Sequence, residues 1–178
     1  YPSSVEFNSS ASDATSGLAS LLYSLDGGAW QTGPLTLTDG RHTVQVQSTD
    51  HAGNISTASQ QVTVDSTPPQ SGFTSPAEGS VAFAHGSEFV MSGKSLDVTS
   101  GLNEAQISLD GGSTWQPITL DTDGSWSYTW DTTRVPNGSH LVLVEAGDLA
   151  GNLEHTARIT VIVANLGPSV SITESFWV

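Results

Sequence analysis

Apolar and polar residues alternate with a period of two along most of this chain. "LLYSLDGG" at 21–28 alternates and then stops at a Gly-Gly turn. "HTVQVQSTD" at 42–50 and "HLVLVEAGD" at 140–148 set Val or Leu against other residues. Side chains on a strand point to opposite faces in turn, so this pattern predicts half-buried strands. No window carries a convincing helical period. Asp-Gly followed by Gly suits the positive φ angles of a tight hairpin. Short strands at this spacing, divided by Gly, Asn and Asp turns, predict antiparallel sandwiches.

The pattern occurs twice. "DATSGL" at 13–18 returns as "DVTSGL" at 97–102, and "YSLDGGAW" at 23–30 as "ISLDGGSTW" at 107–115. "DGRHTVQV" at 39–46 returns as "NGSHLVLV" at 137–144, and "DHAGN" at 50–54 as "DLAGN" at 148–152. "VTV" at 62–64 is matched to "ITV" at 159–161. The offset grows from 84 to 98 residues between the second and third matches. The second copy therefore carries about 14 extra residues, expected as an extra strand or hairpin, and "GSWSYTW" at 124–130 lies among them. "DSTPPQSG" at 65–72 breaks the alternation, because proline fixes φ and has no N–H for a ladder. The reading is a first sandwich over 1–66, a linker over 67–69 and a second sandwich over 70–164. Residues 165–178 are expected to form a linker and the opening of a further module. The first copy is expected to lack its opening strand, since only "YPSSVEF" and a short polar stretch precede "DATSGL". The chain reads as a segment of a longer protein.

These motifs together resemble the bacterial immunoglobulin-like, fibronectin-III-like repeats of secreted and cell-surface proteins. The resemblance implies spacers, adhesin stalk units or accessory domains beside catalytic ones, with no shared active site. Some domains of the kind it resembles form Lys–Asn or Lys–Asp crosslinks. Lys94, the only lysine, has no counterpart in the first copy and is not expected to form one.

Composition narrows the partners. Four Lys+Arg stand against 18 Asp+Glu, a formal charge of −14. Nucleic acid needs cationic contacts to its phosphates and is not expected as a partner. Membrane insertion is not expected either, since no apolar run is long enough to span a bilayer. Neighbouring modules of the same chain are the expected partners, with a protein or glycan on another surface as a further one. The absence of cysteine removes disulfides and thiolate metal sites. The expected location is extracellular or at the cell surface.

Three groups of residues invite a chemical reading. Trp126, Tyr128 and Trp130 share one strand face, and are expected to wall a core. The alternatives are a platform for a sugar, which would make this a carbohydrate-binding accessory module, or a contact with a neighbouring module. Trp30 and Trp115 follow the two Asp-Gly-Gly turns and are expected to pack against the hairpins. The chain has no H-E-x-x-H and no G-x-S-x-G, its serines have no base partner in the sequence, and it is expected not to be an enzyme. "DTDG" at 121–124 fails as a calcium loop: glycine comes too early, and Thr132 stands where the last ligand belongs.

The repeated aspartates are the third group. Each is expected to cap a turn by accepting backbone N–H bonds. The alternative is a cation site at the junction of the modules, formed by Asp65, Asp97, Asp148 and Asn152, with Asp26 projecting towards it. Calcium is the natural ion there, because it takes six to eight oxygen ligands in flexible geometry. No other cofactor is expected.

Overall fold

The computed structural model describes residues 5–7, 9–168 and 170–171. It is all-β among those residues and forms two compact units. The first comprises residues 1–69 together with the loop segments 97–101 and 148–152. The second comprises residues 70–96, 102–147 and 153–178.

The first unit pairs β1 (Val5–Phe7) with β3 (Leu35–Leu37), and β4 (Gly40–Asp50) with both β2 (Leu18–Leu25) and β5 (Ile55–Val64). All these pairings are antiparallel. Its core is Tyr23, Leu35, Leu37, Val44 and Val64, with Phe7, Leu21, Leu25, Val46 and Val62 partly buried around it. The first Asp-Gly-Gly turn is tight: Asp26 (φ 52°) and Gly27 (φ 75°) are both left-handed, and the Gly28 N–H donates to Leu25 O at 2.8 Å. That geometry matches the right-handed twist of the flanking strands.

In the second unit, β6 (Gln70–Ser75), β8 (Phe89–Leu96) and β11 (Ser125–Trp130) form one sheet. The facing sheet has the order β10 (Gln116–Ile118), β9 (Leu102–Ser108), β12 (Gly138–Asp148), β13 (Leu153–Val163), β7 (Val81–Ala84). The β13–β7 pairing is parallel, a departure from the expected all-antiparallel order.

The aromatic strand closes the core of this unit. Trp126 is 3% exposed and Trp130 is buried, while Ser127 and Thr129 face water and Ser125 and Tyr128 lie half-buried. Phe73 meets Trp126 edge-on, with ring centroids 5.2 Å apart. Gly93 sits opposite Trp126 on β8, and a Cβ there would collide with the indole ring and with Gly72 O. A glycine is therefore required where the ring lies flush on the sheet. The platform alternative for Trp126, Tyr128 and Trp130 does not fit this geometry, because both indoles point into the core and offer no open face. The Tyr128 hydroxyl donates to Gln116 Oε1 at 2.7 Å.

Three details depart from the sequence expectation. The extra residues of the second copy do contain a strand, β11, but the first copy has a three-residue counterpart. β3 buries Leu35 and Leu37 and pairs with β1 as β11 pairs with β8. Secondly, "VTV" corresponds to "VIV" at 161–163: His42 faces Val62, and His140 faces Val161. An irregularity between Val144 and Ala146, where the β12–β13 register shifts, displaces the match. Thirdly, Trp30 is 40% exposed, whereas Trp115 is half-buried beside Gly112. The expected opening of a further module lies largely outside the described residues.

Two substitutions test the indole-on-glycine packing. Trp126→Ala should cost about 3–5 kcal/mol, as large-to-small core changes do. Gly93→Ala should also destabilise, because a backbone carbonyl blocks its methyl group. Urea unfolding curves measure both, and a near-parental midpoint for Trp126→Ala would contradict the core assignment.

Candidate functional site

The aspartates of the two repeats build the same pair of loops twice. In "DVTSG" the Asp97 Oδ1 accepts the N–H groups of Thr99, Ser100 and Gly101 at 3.2, 2.9 and 2.6 Å. In "DATSG" Asp13 Oδ1 does the same for Thr15, Ser16 and Gly17 at 3.1, 2.6 and 2.8 Å. Left-handed Gly17 and Gly101 end these turns. One carboxylate oxygen thus satisfies three backbone donors that the turn leaves without a ladder partner.

The D-x-A-G-N loop is a reciprocal clasp. Asp148 accepts the Asn152 N–H on Oδ1 (2.9 Å) and the Asn152 side-chain amide on Oδ2 (2.7 Å). The Asp148 N–H donates to Asn152 O at 3.1 Å. Asp50 and Asn54 repeat the arrangement at 2.8, 2.7 and 3.1 Å. The two loops then join: Leu149 N–H donates to Gly101 O, and His51 N–H to Gly17 O.

The loops of the second repeat differ from those of the first by a third carboxylate. Asp65 Oδ2 accepts the Ser100 N–H at 3.0 Å, its Oδ1 accepts Thr67 N–H at 2.9 Å, and its carbonyl accepts Asn152 Nδ2–H at 3.1 Å. Asp65, Asp97 and Asp148 each present a carboxylate oxygen, all within 4.8 Å of one another. Asp148 and Asn152 are each 2% exposed. All four residues belong to the first compact unit. Burial pushes the Asp65 carboxyl up, but the hydrogen bonds from Ser100 and Thr67 outweigh it and the net shift is downward. Among the described residues no third carboxylate joins Asp13 and Asp50 in this way. The donor set is hard oxygen, which suits a calcium-type ion and not a soft metal.

The other marked residues are engaged locally. Asp26 is held at the first hairpin, accepting from Thr43 N–H at 2.7 Å and pairing with His42 Nδ1 at 2.9 Å, so it does not join the cluster. His42 Nε2 donates to Thr38 O, as His140 Nε2 does to Pro136 O, both at 2.9 Å. With acceptors at both ring nitrogens, chiefly Asp26, the His42 imidazolium is favoured and its pKa is raised. Lys94 forms an exposed ion pair with Asp123 at 3.2 Å. Thr132 is fully buried and donates to Gly86 O at 2.8 Å.

Sequence reasoning passed over Asp110. It accepts the Thr114 N–H at 2.8 Å and the Thr114 and Ser108 hydroxyls at 2.7 and 2.8 Å, which holds its carboxyl at about 2. A Ser two residues before an Asp-Gly turn and a Thr four after it was the available signal.

The geometry is that of a tandem of Ig-like sandwiches whose polar chemistry is concentrated in loops. A sequence profile of the bacterial Ig-like domain matches residues 9–66, and one of the bacterial Ig domain matches residues 69–144. The chain belongs to the bacterial Ig-like domains, carried as a tandem pair. No curated protein matches it. Among solved structures it is similar to the fibronectin(III)-like modules of CbhA from Clostridium thermocellum, at 15% identity and TM-score 0.49 over 92% of this chain and 88% of that one. It is similar to the endo-beta-1,4-mannanase of Thermotoga petrophila at 17% identity and TM-score 0.44, covering 57% of this chain. The SrpA adhesin R347E mutant from Streptococcus sanguinis gives 15% identity and TM-score 0.42, covering 57% of this chain. The chain spans 21% of the mannanase and 60% of the adhesin.

The capping carboxylates impose a pH dependence. Asp110 has a depressed folded pKa, so its stabilisation is present above the ordinary carboxyl value of 3.8 and disappears as pH falls towards about 2. Asp110→Asn should melt below the parent at pH 7, and the gap should close between pH 4 and pH 2. His42 has the opposite sign: its contribution is full below 6.5 and is lost as pH rises through its raised value. Melting temperatures taken in steps across both windows check the two signs, and an Asp110→Asn gap independent of pH would contradict the capping role.

Proposed function

We propose that this chain is a non-catalytic spacer, a stalk unit of an extracellular or cell-surface bacterial protein, whose partners are neighbouring modules of the same polypeptide. The observation that carries this reading is the duplication of the loop chemistry. Asp13, Asp50 and Asn54 in one repeat, and Asp97, Asp148 and Asn152 in the other, make the same bonds to their own backbones. Carboxylates used this way build modules; they are not held in readiness for a substrate. The burial of Trp126 and Trp130 argues against the carbohydrate-binding alternative. A glycan array and surface-binding measurements on the chain should give no saturable binding. A saturable glycan ligand would overturn the spacer reading in favour of the accessory module.

Calcium at Asp65, Asp97 and Asp148 is the second part of the proposal, favoured by the convergence of three carboxylates around a buried one. Asn152 would act from behind, holding Asp148 and the Asp65 backbone in place. The ion would offset the mutual repulsion of the three charges and tie the 65–67 segment to both loops. After chelation, calcium at a hundredfold excess over its Kd should add about 2.7 kcal/mol to the folded state. That corresponds to a rise in melting temperature of order 10 °C. Asp65→Asn should reduce this rise, and should itself melt below the parent without metal, because one of the two acceptor oxygens that take the Thr67 and Ser100 N–H groups is lost. An unchanged melting curve at millimolar calcium would leave these aspartates as turn caps only.

A further inference from the structure

Glycine follows asparagine at one place in this chain, "NG" at 137–138. The other five asparagines precede Ser9, Ile55, Glu104, Leu153 and Leu166. The fold sets this pair. Gly138 opens β12 with φ 134°, as Gly40 opens β4 with φ 133°. A side chain is strained in that region, so glycine is required at both positions. The residue before it accepts a hydrogen bond from the segment after the last strand of its repeat. Asp39 Oδ1 accepts the Ser66 N–H at 3.1 Å, and Asn137 Oδ1 accepts the Asn165 N–H at 3.0 Å. The repeats meet one constraint with a carboxylate in the first and an amide in the second.

The amide is the reactive choice. A main-chain nitrogen can attack the side-chain carbonyl carbon of a preceding asparagine when no Cβ of its own crowds the approach. The space where a Gly138 Cβ would stand is open. Negative charge develops on Asn137 Oδ1 during the attack, and the Asn165 N–H is already bonded to that atom. A backbone donor fixed on an oxygen that gains charge lowers the barrier. Asn137 is exposed, and its Nδ2, the leaving group, has no hydrogen-bond partner among the described residues. The four Asp-Gly steps, at 26–27, 39–40, 110–111 and 123–124, offer a carboxylate instead, and an anion is a poor electrophile. Hydrogen bonds from their neighbours hold Asp26, Asp110 and Asp123 in that ionised form.

We propose that Asn137 is a modification site, where the folded chain converts its own amide to a carboxylate without an enzyme. The Gly138 nitrogen bonds to Asn137 Cγ, the Cγ–Nδ2 bond breaks, and ammonia leaves with the proton that Gly138 gives up through water. The succinimide ring then takes up one water. Opening at Cγ yields aspartate, and opening at the Asn137 main-chain carbonyl carbon yields isoaspartate. Water enters, ammonia leaves, and the chain gains one negative charge. The two products act in opposite directions. Aspartate reproduces the arrangement at Asp39, with a charge-assisted bond to the Asn165 N–H. Isoaspartate lengthens the main chain by a methylene at the entry to β12 and displaces the acceptor. The Asn165 amide donates to Thr132 O at 2.6 Å, and its Oδ1 accepts the Gly86 N–H at 3.2 Å. Isoaspartate therefore loosens the joint of three segments, around 86, 132 and 165.

The chain is aged at mildly alkaline pH and its peptides are mapped by mass spectrometry, with a urea-unfolded sample as the positive control. The peptide containing Asn137 should show the mass gain of an amide-to-acid exchange and resolve into aspartate and isoaspartate forms. Asn54, Asn103, Asn152 and Asn165 should stay intact. An unmodified Asn137 in the folded chain, at a time when the unfolded sample has converted, would overturn the proposal. Two variants isolate the donor: Asn165→Ala keeps the main-chain N–H, and Asn165→Pro lacks it. The proline variant should deamidate more slowly than the alanine variant, and equal rates would overturn the part given to that N–H. The isoaspartate form, separated by chromatography, should melt below Asn137→Asp. Equal melting would overturn the loosening of the joint.

Discussion

The structure depends on carboxylates taking up backbone N–H groups that the sheets leave over. A sandwich of short strands has many turns, and every turn strands donors with no ladder partner. This chain has few cations and many aspartates, and it places those aspartates where the strands stop. Asp97 collects three N–H groups, and Asp148 clasps Asn152 from both ends. With these loops fixed, the strands on either side are held at the spacing the core requires. The same chemistry in both repeats explains why the loop motifs are the most similar parts of two modules whose strand sequences differ.

The architecture was legible because it rests on short-range pattern. Alternation marked the strands, and repetition of D-x-T-S-G-L and D-x-A-G-N marked the two copies. The burial of Trp126 and Trp130 followed from period-two spacing and the cost of leaving large aromatics in water. What was hidden depends on pairing across the chain. β3 is three residues long and carries no aromatic, so nothing in "PLTLT" announced it as the counterpart of β11. The irregularity between Val144 and Ala146 shifts a register by one, which only the partner strand reveals. The different fates of Asp26 and Asp110 depend on a neighbour: Asp26 has His42 within reach, while Asp110 has Ser108 and Thr114. The convergence of Asp65, Asp97 and Asp148 follows only from an assumed topology, and the fold brings those three together without Asp26.

The two modules also divide the work of stability differently. The second fills its interior with two indole rings, one of them laid on Gly93, and Trp126 Nε1 has no protein acceptor among the described residues. An unpaired buried N–H costs part of what the ring's apolar area contributes. Volume and shape, more than hydrogen bonding, therefore select tryptophan at this position. The first module has a smaller core built on Leu35 and Leu37, with Phe7, Leu21, Leu25, Val46 and Val62 partly buried around it.

The capping bonds also reach the chain's behaviour in solution. Asp13, Asp26, Asp50, Asp65, Asp110, Asp123 and Asp131 all have lowered pKa values, with Asp110 and Asp123 at about 2. Composition places the isoelectric point near 4.2. In the folded chain these seven groups keep their charge to a lower pH than free aspartates do, which moves neutrality to a lower pH. Proteins associate most readily where their net charge vanishes, and mutual repulsion keeps them apart elsewhere. The hydrogen bonds that shape the turns therefore also keep the folded molecules dispersed in mildly acid surroundings, a protection that vanishes on unfolding.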